Sequence, residues 1–264
     1  MGATEYFDES ERANTWRHRL KQCSGLRVCA GVILALCLAL PLSSAAQTLF
    51  ADGFEELNDQ TAARFLDQST FGGRTVDIAR VRQLGYASWI EEQFGKAISL
   101  EKPYLDWITT VLGQGVYQQQ RQEIWFIHSA QLYNPSNPLL THDDQLRQRV
   151  AFALSQIMVV SDRNAALLFQ PWALADYYDT LARNAFGNYR DLLEDVTLHP
   201  AMGRFLSMLG NRKNDPALNI RPDENYAREI LQLFSIGLDQ LNLDGTLAGG
   251  NPVPTYNQDQ VRGF

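Results

Sequence analysis

Between Asp59 and Leu209, apolar side chains recur every three or four residues, and glycine or proline punctuates the pattern at short intervals. No run of four to eight residues alternates convincingly between apolar and polar. A period of 3.6 buries one stripe of a helix, whereas a half-buried strand needs a period of two, so the chain is constrained to an all-α fold of several short helices. The clearest segment runs from Thr141 to Val160. Thr141 is placed to cap it and Asp143 and Asp144 sit in its electropositive first turn. Leu146, Val150, Ala153, Leu154, Ile157 and Met158 make one core-facing stripe. The same logic predicts a helix through Ala62, Phe65, Leu66 and Ser69. A second carries Val76, Ala79, Arg80 and Gln83, with Thr75 as cap and Gly85 as stop, and a third spans Tyr86 to Phe94. Further helices are expected over Leu174 to Phe186, over Tyr189 to Leu198, and from Pro200 to about Leu209. Asn134 to Pro138 and Gly210 to Pro222 resist a helix. Asp244-Gly245, flanked by Leu241, Leu243 and Leu247, suits a small β-hairpin turn.

The N-terminal part obeys a different rule. Val28 to Leu42 is a run of fifteen uncharged residues preceded by Arg17, His18, Arg19, Lys21 and Arg27 and followed by Ser43, Ser44, Ala45 and Ala46. A basic region, a short apolar region and small residues outline a signal peptide over residues 1–46, cleaved after Ala46. A membrane anchor needs roughly 20 apolar residues, and Pro41 and the serines interrupt the run first. Residues 47–58 read as a lead-in around Asp52-Gly53, and residues 59–264 as an irregular multi-helix domain. The last pattern, Asn257 to Phe264, has a cap and a first-turn acid but stops before its apolar stripe is complete, so a longer protein is expected. The location expected is periplasmic or secreted.

Composition narrows the function. With 23 basic and 30 acidic side chains the net charge is -7, which disfavours a broad grip on nucleic acid or anionic lipid. All three cysteines, Cys23, Cys29 and Cys37, precede the domain, so it has no disulfide framework. His128, His142 and His199 stand in no H-E-x-x-H arrangement, and no G-x-S-x-G, phosphate-loop or dinucleotide motif is present. No metal ligands are assigned, and no cofactor is indicated. Gln240 to Gly245 lacks the first and last ligands of a calcium loop and reads as a turn. Trp125, beside Ile124 and Ile127, reads as helix packing rather than as a platform for a sugar.

Polar residues concentrate between His199 and Gly237. After Pro222, Asp223 and Glu224 suit a helix start. Tyr226, Ile230, Leu233, Phe234 and Gly237 form an apolar stripe, and Asn225, Glu229 and Gln232 a polar one. Glu224 and Arg228 are an i,i+4 pair. Two readings stand. In one, Glu229, Arg228 and Asn225 are the catalytic groups of a hydrolase-type cleft, and Asn211, Arg212, Lys213 and Arg221 bind an anionic group. In the other, Glu224, Arg228 and Glu229 are an ordinary solvated or interhelical salt-bridge network.

Three segments taken together resemble the bacterial family called domain of unknown function 1800. They are Ala63-Arg64-Phe65-Leu66 with Ser69-Thr70-Phe71-Gly72, then Gln148-Arg149-Val150-Ala151-Phe152-Ala153-Leu154-Ser155-Gln156, and lastly Asn225-Tyr226-Ala227-Arg228-Glu229 followed by Leu233-Phe234-Ser235-Ile236-Gly237. The resemblance runs from about Thr61 to Phe264. It implies an exported, largely helical protein of the cell envelope, in some members encoded beside a sulfatase-like partner, and it supplies no activity. Many members read L-H-T-L-G where this chain has Leu233 to Gly237, so a histidine that would act with Glu229 is absent. A binding role toward a partner or polymer, and a hydrolase centred on Glu229, are the two functions carried forward.

Overall fold

The computed structural model describes residues 56–132 and 143–263. Among them are eleven α-helices, two short 3-10 turns and no strand, which is the all-α fold that the periodicity dictates. The helices are α1 (Asp59–Ser69), α2 (Thr75–Leu84), α3 (Tyr86–Phe94), α4 (Lys102–Thr110), α5 (Gln118–Ser129) and α6 (Gln145–Ile157). They continue with α7 (Pro171–Asn184), α8 (Tyr189–Leu198), α9 (Pro200–Phe205), α10 (Asn225–Gln232) and α11 (Gln258–Gly263). The leader, most of the lead-in, Asn134 to Pro138, Thr141 and His142 lie outside the described residues. No described helix is long and apolar enough to cross a membrane.

The unit from Leu57 onward is organised on α7, which packs against α4, α5, α6, α8 and α9. Its sequence explains why. Pro171 fits the first turn, where no N–H is needed. Leu174, Ala175, Tyr177, Tyr178, Leu181 and Ala182 then cover more than one face and are all buried. A helix apolar on so much of its circumference belongs in the centre. Leu181, Met202, Leu192 and Val196 build the main core with Tyr226, Ile230 and Phe234 of the α10 region. Each fully buried aliphatic side chain contributes about 1.5–3 kcal/mol. Two satellite cores flank it. Tyr104, Leu105, Ile108 and Ile124 join α4 to α5, and Ala62, Leu66, Val81 and Trp89 hold α1, α2 and α3 together.

Local chemistry sets the ends. Asn58 caps α1 by accepting from Gln60 N and Thr61 N. In α2 the cap is Arg74 rather than Thr75. Asp77 reaches back to Arg74 N at 3.0 Å, which makes Thr75 the first helical residue. Gly85 stops the helix as expected, at φ 78, a left-handed value that side chains with a Cβ disfavour. Helix α9 ends at Phe205, short of Leu209, because Ser207 turns left-handed at φ 60. Asn257 caps α11 through Asp259 N and Gln260 N. At Asp244-Gly245 the expected turn forms, closed by Asn242 N to Thr246 O and an isolated Leu241–Leu247 bridge rather than by a ladder.

Helix α6 departs most from expectation. Ala153 and Ile157 of its predicted stripe are exposed, Leu146, Val150 and Leu154 are half-buried, and the deeply buried positions include Gln145, Arg147 and Gln148. These polar side chains are buried with their donors turned to backbone carbonyls of other segments. Gln145 Nε2 donates to His128 O at 2.6 Å, Arg147 Nη1 to Ala182 O at 3.2 Å, and Gln148 Nε2 to Ser99 O at 2.9 Å. The Arg147 guanidinium also lies 4.3 Å from the centre of the Phe186 ring.

The segment Ser99–Lys102 is tied to this centre by two buried carboxylates. Asp144 accepts from Ser99 N and Ser99 Oγ, at 2.9 and 2.6 Å. Asp179, fully buried on α7, accepts from Glu101 N at 2.6 Å and Lys102 N at 3.0 Å, the orphan donors at the start of α4. Asp179→Ala leaves both donors unpaired in the core, and we expect a loss of roughly 3 kcal/mol in urea unfolding. Asp179→Asn keeps an acceptor and is expected to lose less; equal losses would show that the carboxylate does not anchor α4.

Candidate functional site

The residues nominated from sequence fall into two places that do not form one cleft. On α10, Arg228 Nη2 lies 2.5 Å from Glu224 Oε2 and donates to Gln258 Oε1 of α11 at 2.9 Å, while Gln258 Nε2 donates to Glu224 Oε1 at 2.7 Å. The triangle fastens α10 to α11 at the surface. Hydrogen bonds from Gln258 and then Arg228 hold the Glu224 carboxyl below its usual range. Arg228 is thereby occupied as a brace. Glu229 is half-buried, and its Oε2 has no hydrogen-bond partner among the described residues. Asn225 is exposed, and its backbone N–H is capped by Asp223 Oδ1. The amide of Asn211 clasps the backbone of Asp223 from both sides, at 2.8 Å each, so it holds the loop that precedes α10. Arg212, Lys213 and Arg221 are exposed on that polar loop.

Helix α10 takes the predicted apolar face, with Tyr226, Ile230 and Phe234 buried, but it starts at Asn225 rather than at Pro222, and Leu233 is 60% exposed. Tyr226 OH donates to Thr197 Oγ1 at 2.6 Å and so docks α10 on α8. His199 ends α8 and starts α9. Its Nδ1 accepts from Ala201 N at 3.1 Å and its Nε2 lies 3.3 Å from Asp176. Burial lowers its pKa against the pull of Asp176.

A concavity lies elsewhere, between α5, α6 and α7 and the 159–162 segment, with a volume of about 560 Å³. One wall is aromatic. Trp125 and Phe126 of α5 and Phe152 of α6 line it, with Tyr177 and Tyr178 of α7 beneath. The rings support one another edge to face, Trp125 with Phe126 at 5.1 Å and with Phe71 at 5.5 Å. Trp125 Nε1 donates to Tyr178 OH at 3.0 Å, and the Arg149 guanidinium caps the cluster 5.3 Å from the Phe71 ring. Trp125 therefore packs between helices, as expected, and also faces the cleft. Two of the segments that carry the family resemblance meet here, through Phe71 and through Arg149, Phe152, Ser155 and Gln156.

The rest of the lining is polar. Arg121 Nη2 lies 3.8 Å from Asp162 Oδ2, and Gln122 Nε2 donates to the same carboxylate at 3.3 Å. Ser155, Gln156 and Ser161 complete this side. Sequence reasoning missed this cleft because Arg121 and Asp162 are 41 positions apart and meet only in the fold. Among the described residues, no group of three His, Cys, Asp or Glu side chains is placed to hold a metal ion.

Next to the cleft lies an unusual acid. Glu101 is 1% exposed, and neither carboxyl oxygen has a hydrogen-bond partner among the described residues. Burial pushes its pKa well above the usual carboxylate range; the Arg121 charge opposes that shift and the Asp179 charge adds to it. Burial also raises Asp179, to about 6, against its two backbone hydrogen bonds. Both groups hold their proton more tightly folded than unfolded. Their contribution to stability is thus complete below the unfolded value of about 4 and falls as pH rises, for Asp179 up to about 6. Glu92 and Glu224 are shifted the other way, by ion pairs and hydrogen bonds, and lose stability as pH falls through their folded values. Urea unfolding followed across acidic pH is expected to show a maximum, with a decline on its upper side that Asp179→Asn flattens. An unchanged decline in that variant would place its origin elsewhere.

With this geometry in place, the family can be stated. The model of a protein of unknown function, DUF1800, matches residues 64–264, and the chain belongs to that family. No curated protein and no solved structure matches the chain.

Proposed function

We propose that this chain is an exported protein of the bacterial cell envelope that binds a partner or polymer through the cleft between α5 and α6. The observation that carries the reading is the cleft's lining. An aromatic wall, rigid through ring contacts, faces amides, hydroxyls and an ion pair across about 560 Å³, within the size range of ligand sites. The mouth adds exposed apolar surface, with Phe126 at 62% and Val159 at 46%. Support for export comes from the Val28 to Ala46 sequence pattern. A sulfatase-like protein encoded nearby is one candidate partner, by family analogy. The acidic net charge argues against nucleic acid, and no described helix is long and apolar enough to cross a membrane.

The hydrolase reading keeps one supporting observation, the buried and unpartnered Oε2 of Glu229. Against it, Arg228 is committed to Glu224 and Gln258, and Arg212, Lys213 and Arg221 are exposed on the loop before α10.

Two measurements test the proposal. Residues 1–46 fused to a reporter active only outside the cytoplasm are expected to confer activity that deletion of Val28 to Leu42 abolishes; a reporter left in the cytoplasm would remove the export claim. The full chain is expected to co-sediment with washed envelope fragments, less so as Phe126→Ala, and equally well as Arg228→Ala or Glu229→Gln. Loss of binding in Glu229→Gln, with Phe126→Ala unaffected, would move the site to α10.

A further inference from the structure

We propose that the ligand of this cleft is an uncharged glycan, whose sugar rings lie on Trp125, Phe126 and Phe152 while its hydroxyls engage Arg121, Gln122 and Asp162. This names the ligand class of the binding site proposed above and rests on that reading. The argument starts from charge. Arg121 and Asp162 face one another at 3.8 Å, so the wall carries a matched pair rather than a net sign. An anionic ligand would have to displace Asp162 to reach the guanidinium, and a cationic one would have to displace Arg121. Each exchange leaves a half-buried charge unpaired, since the two side chains are only 19% and 21% exposed. A neutral ligand that offers both donors and acceptors pays neither cost.

Hydrogen-bonding capacity points the same way. A guanidinium presents five donors in a plane, a carboxylate about four acceptor sites, and an amide both kinds. The described contacts of Arg121 use Nε toward Gln118 at 3.0 Å and one Nη toward Asp162. Planar groups with capacity left over suit vicinal hydroxyls, which accept from one group and donate to the next. Between the hydroxyls, a sugar ring has an apolar C–H face, and the aromatic wall supplies its complement. Trp125 and Phe126 stand at 82° to one another, so the wall offers one ring's face beside another's edge. The exposure of Phe126 and Val159 leaves the cleft unwalled at its mouth, and a chain longer than the cavity can leave there.

The test is affinity electrophoresis of the full chain in native gels that contain dextran, laminarin or glucomannan as neutral glycans, with carboxymethylcellulose as the charged counterpart. Retardation by at least one neutral glycan is expected, weakened roughly tenfold in Phe126→Ala, the loss of about 1.4 kcal/mol that one aromatic contact supplies. Phe126 is exposed, so the variant should fold, and an unchanged circular dichroism melt verifies this. Gln122→Ala is the second variant and is expected to weaken the same retardation. No retardation by any neutral glycan, retardation by carboxymethylcellulose alone, or retardation that neither variant changes would each overturn the proposal. Envelope fragments separate this failure from that of the parent reading. If protease treatment abolishes co-sedimentation and periodate, which cleaves vicinal diols, leaves it intact, the glycan assignment falls while binding through the cleft stands.

Discussion

A carboxylate in the middle of a helical protein is the constraint around which the rest is arranged. Asp179 is fully buried on the central helix and receives the first two N–H groups at the start of α4. Ionised, it would be costly to bury alone; the donors of a helix start, with their partial positive charge, are a partner that offsets that cost. Asp144 and Gln148 fix Ser99, two residues earlier, so the segment from Ser99 to Lys102 is gripped from both sides. Helix α5 then packs on α4, α6 and α7. The aromatic wall of the cleft consequently stands where buried polar bonds, rather than apolar area alone, have placed it. Apolar contact is nondirectional, whereas these hydrogen bonds specify one register.

The same polar centre explains what the sequence could and could not reveal. The α8 boundaries, the Gly85 stop and the Asn257 cap are local decisions, made by residues within one turn of where they act, and they were legible. The α6 stripe was legible as a helix but not as an orientation. Gln145, Arg147 and Gln148 are buried with their donors on His128 O, Ala182 O and Ser99 O, carbonyls 17, 35 and 49 positions away. Periodicity counts apolar types and cannot register a demand made by a distant carbonyl.

The candidate site turns on a related point. The Asn225 to Glu229 block is the most distinctive polar stretch, and it drew the functional reading to itself. In the structure its arginine is fastened to Glu224 and Gln258, and its tyrosine docks the helix on Thr197. A distinctive motif can thus be distinctive because it builds a joint. The cleft instead draws on Phe71, Arg121, Trp125, Phe152 and Asp162, spread over 92 positions, of which only the rings near Phe71 and Phe152 fall within segments that mark the family.

The shared cap at His199 has a geometric consequence of its own. One residue closes α8 with its backbone and opens α9 with its ring nitrogen, so no linker separates the two helices. Their crossing angle is set by a single pair of torsions, φ -75 and ψ 128, in an ordinary extended conformation. An inserted residue here would add a second pair of torsions to the corner and so change the direction in which the next helix leaves it. Ala201, Met202 and Gly203 would then swing out of the main core. The corner works as a mitred joint whose length cannot drift, and variation in length must be absorbed in the exposed loops on either side.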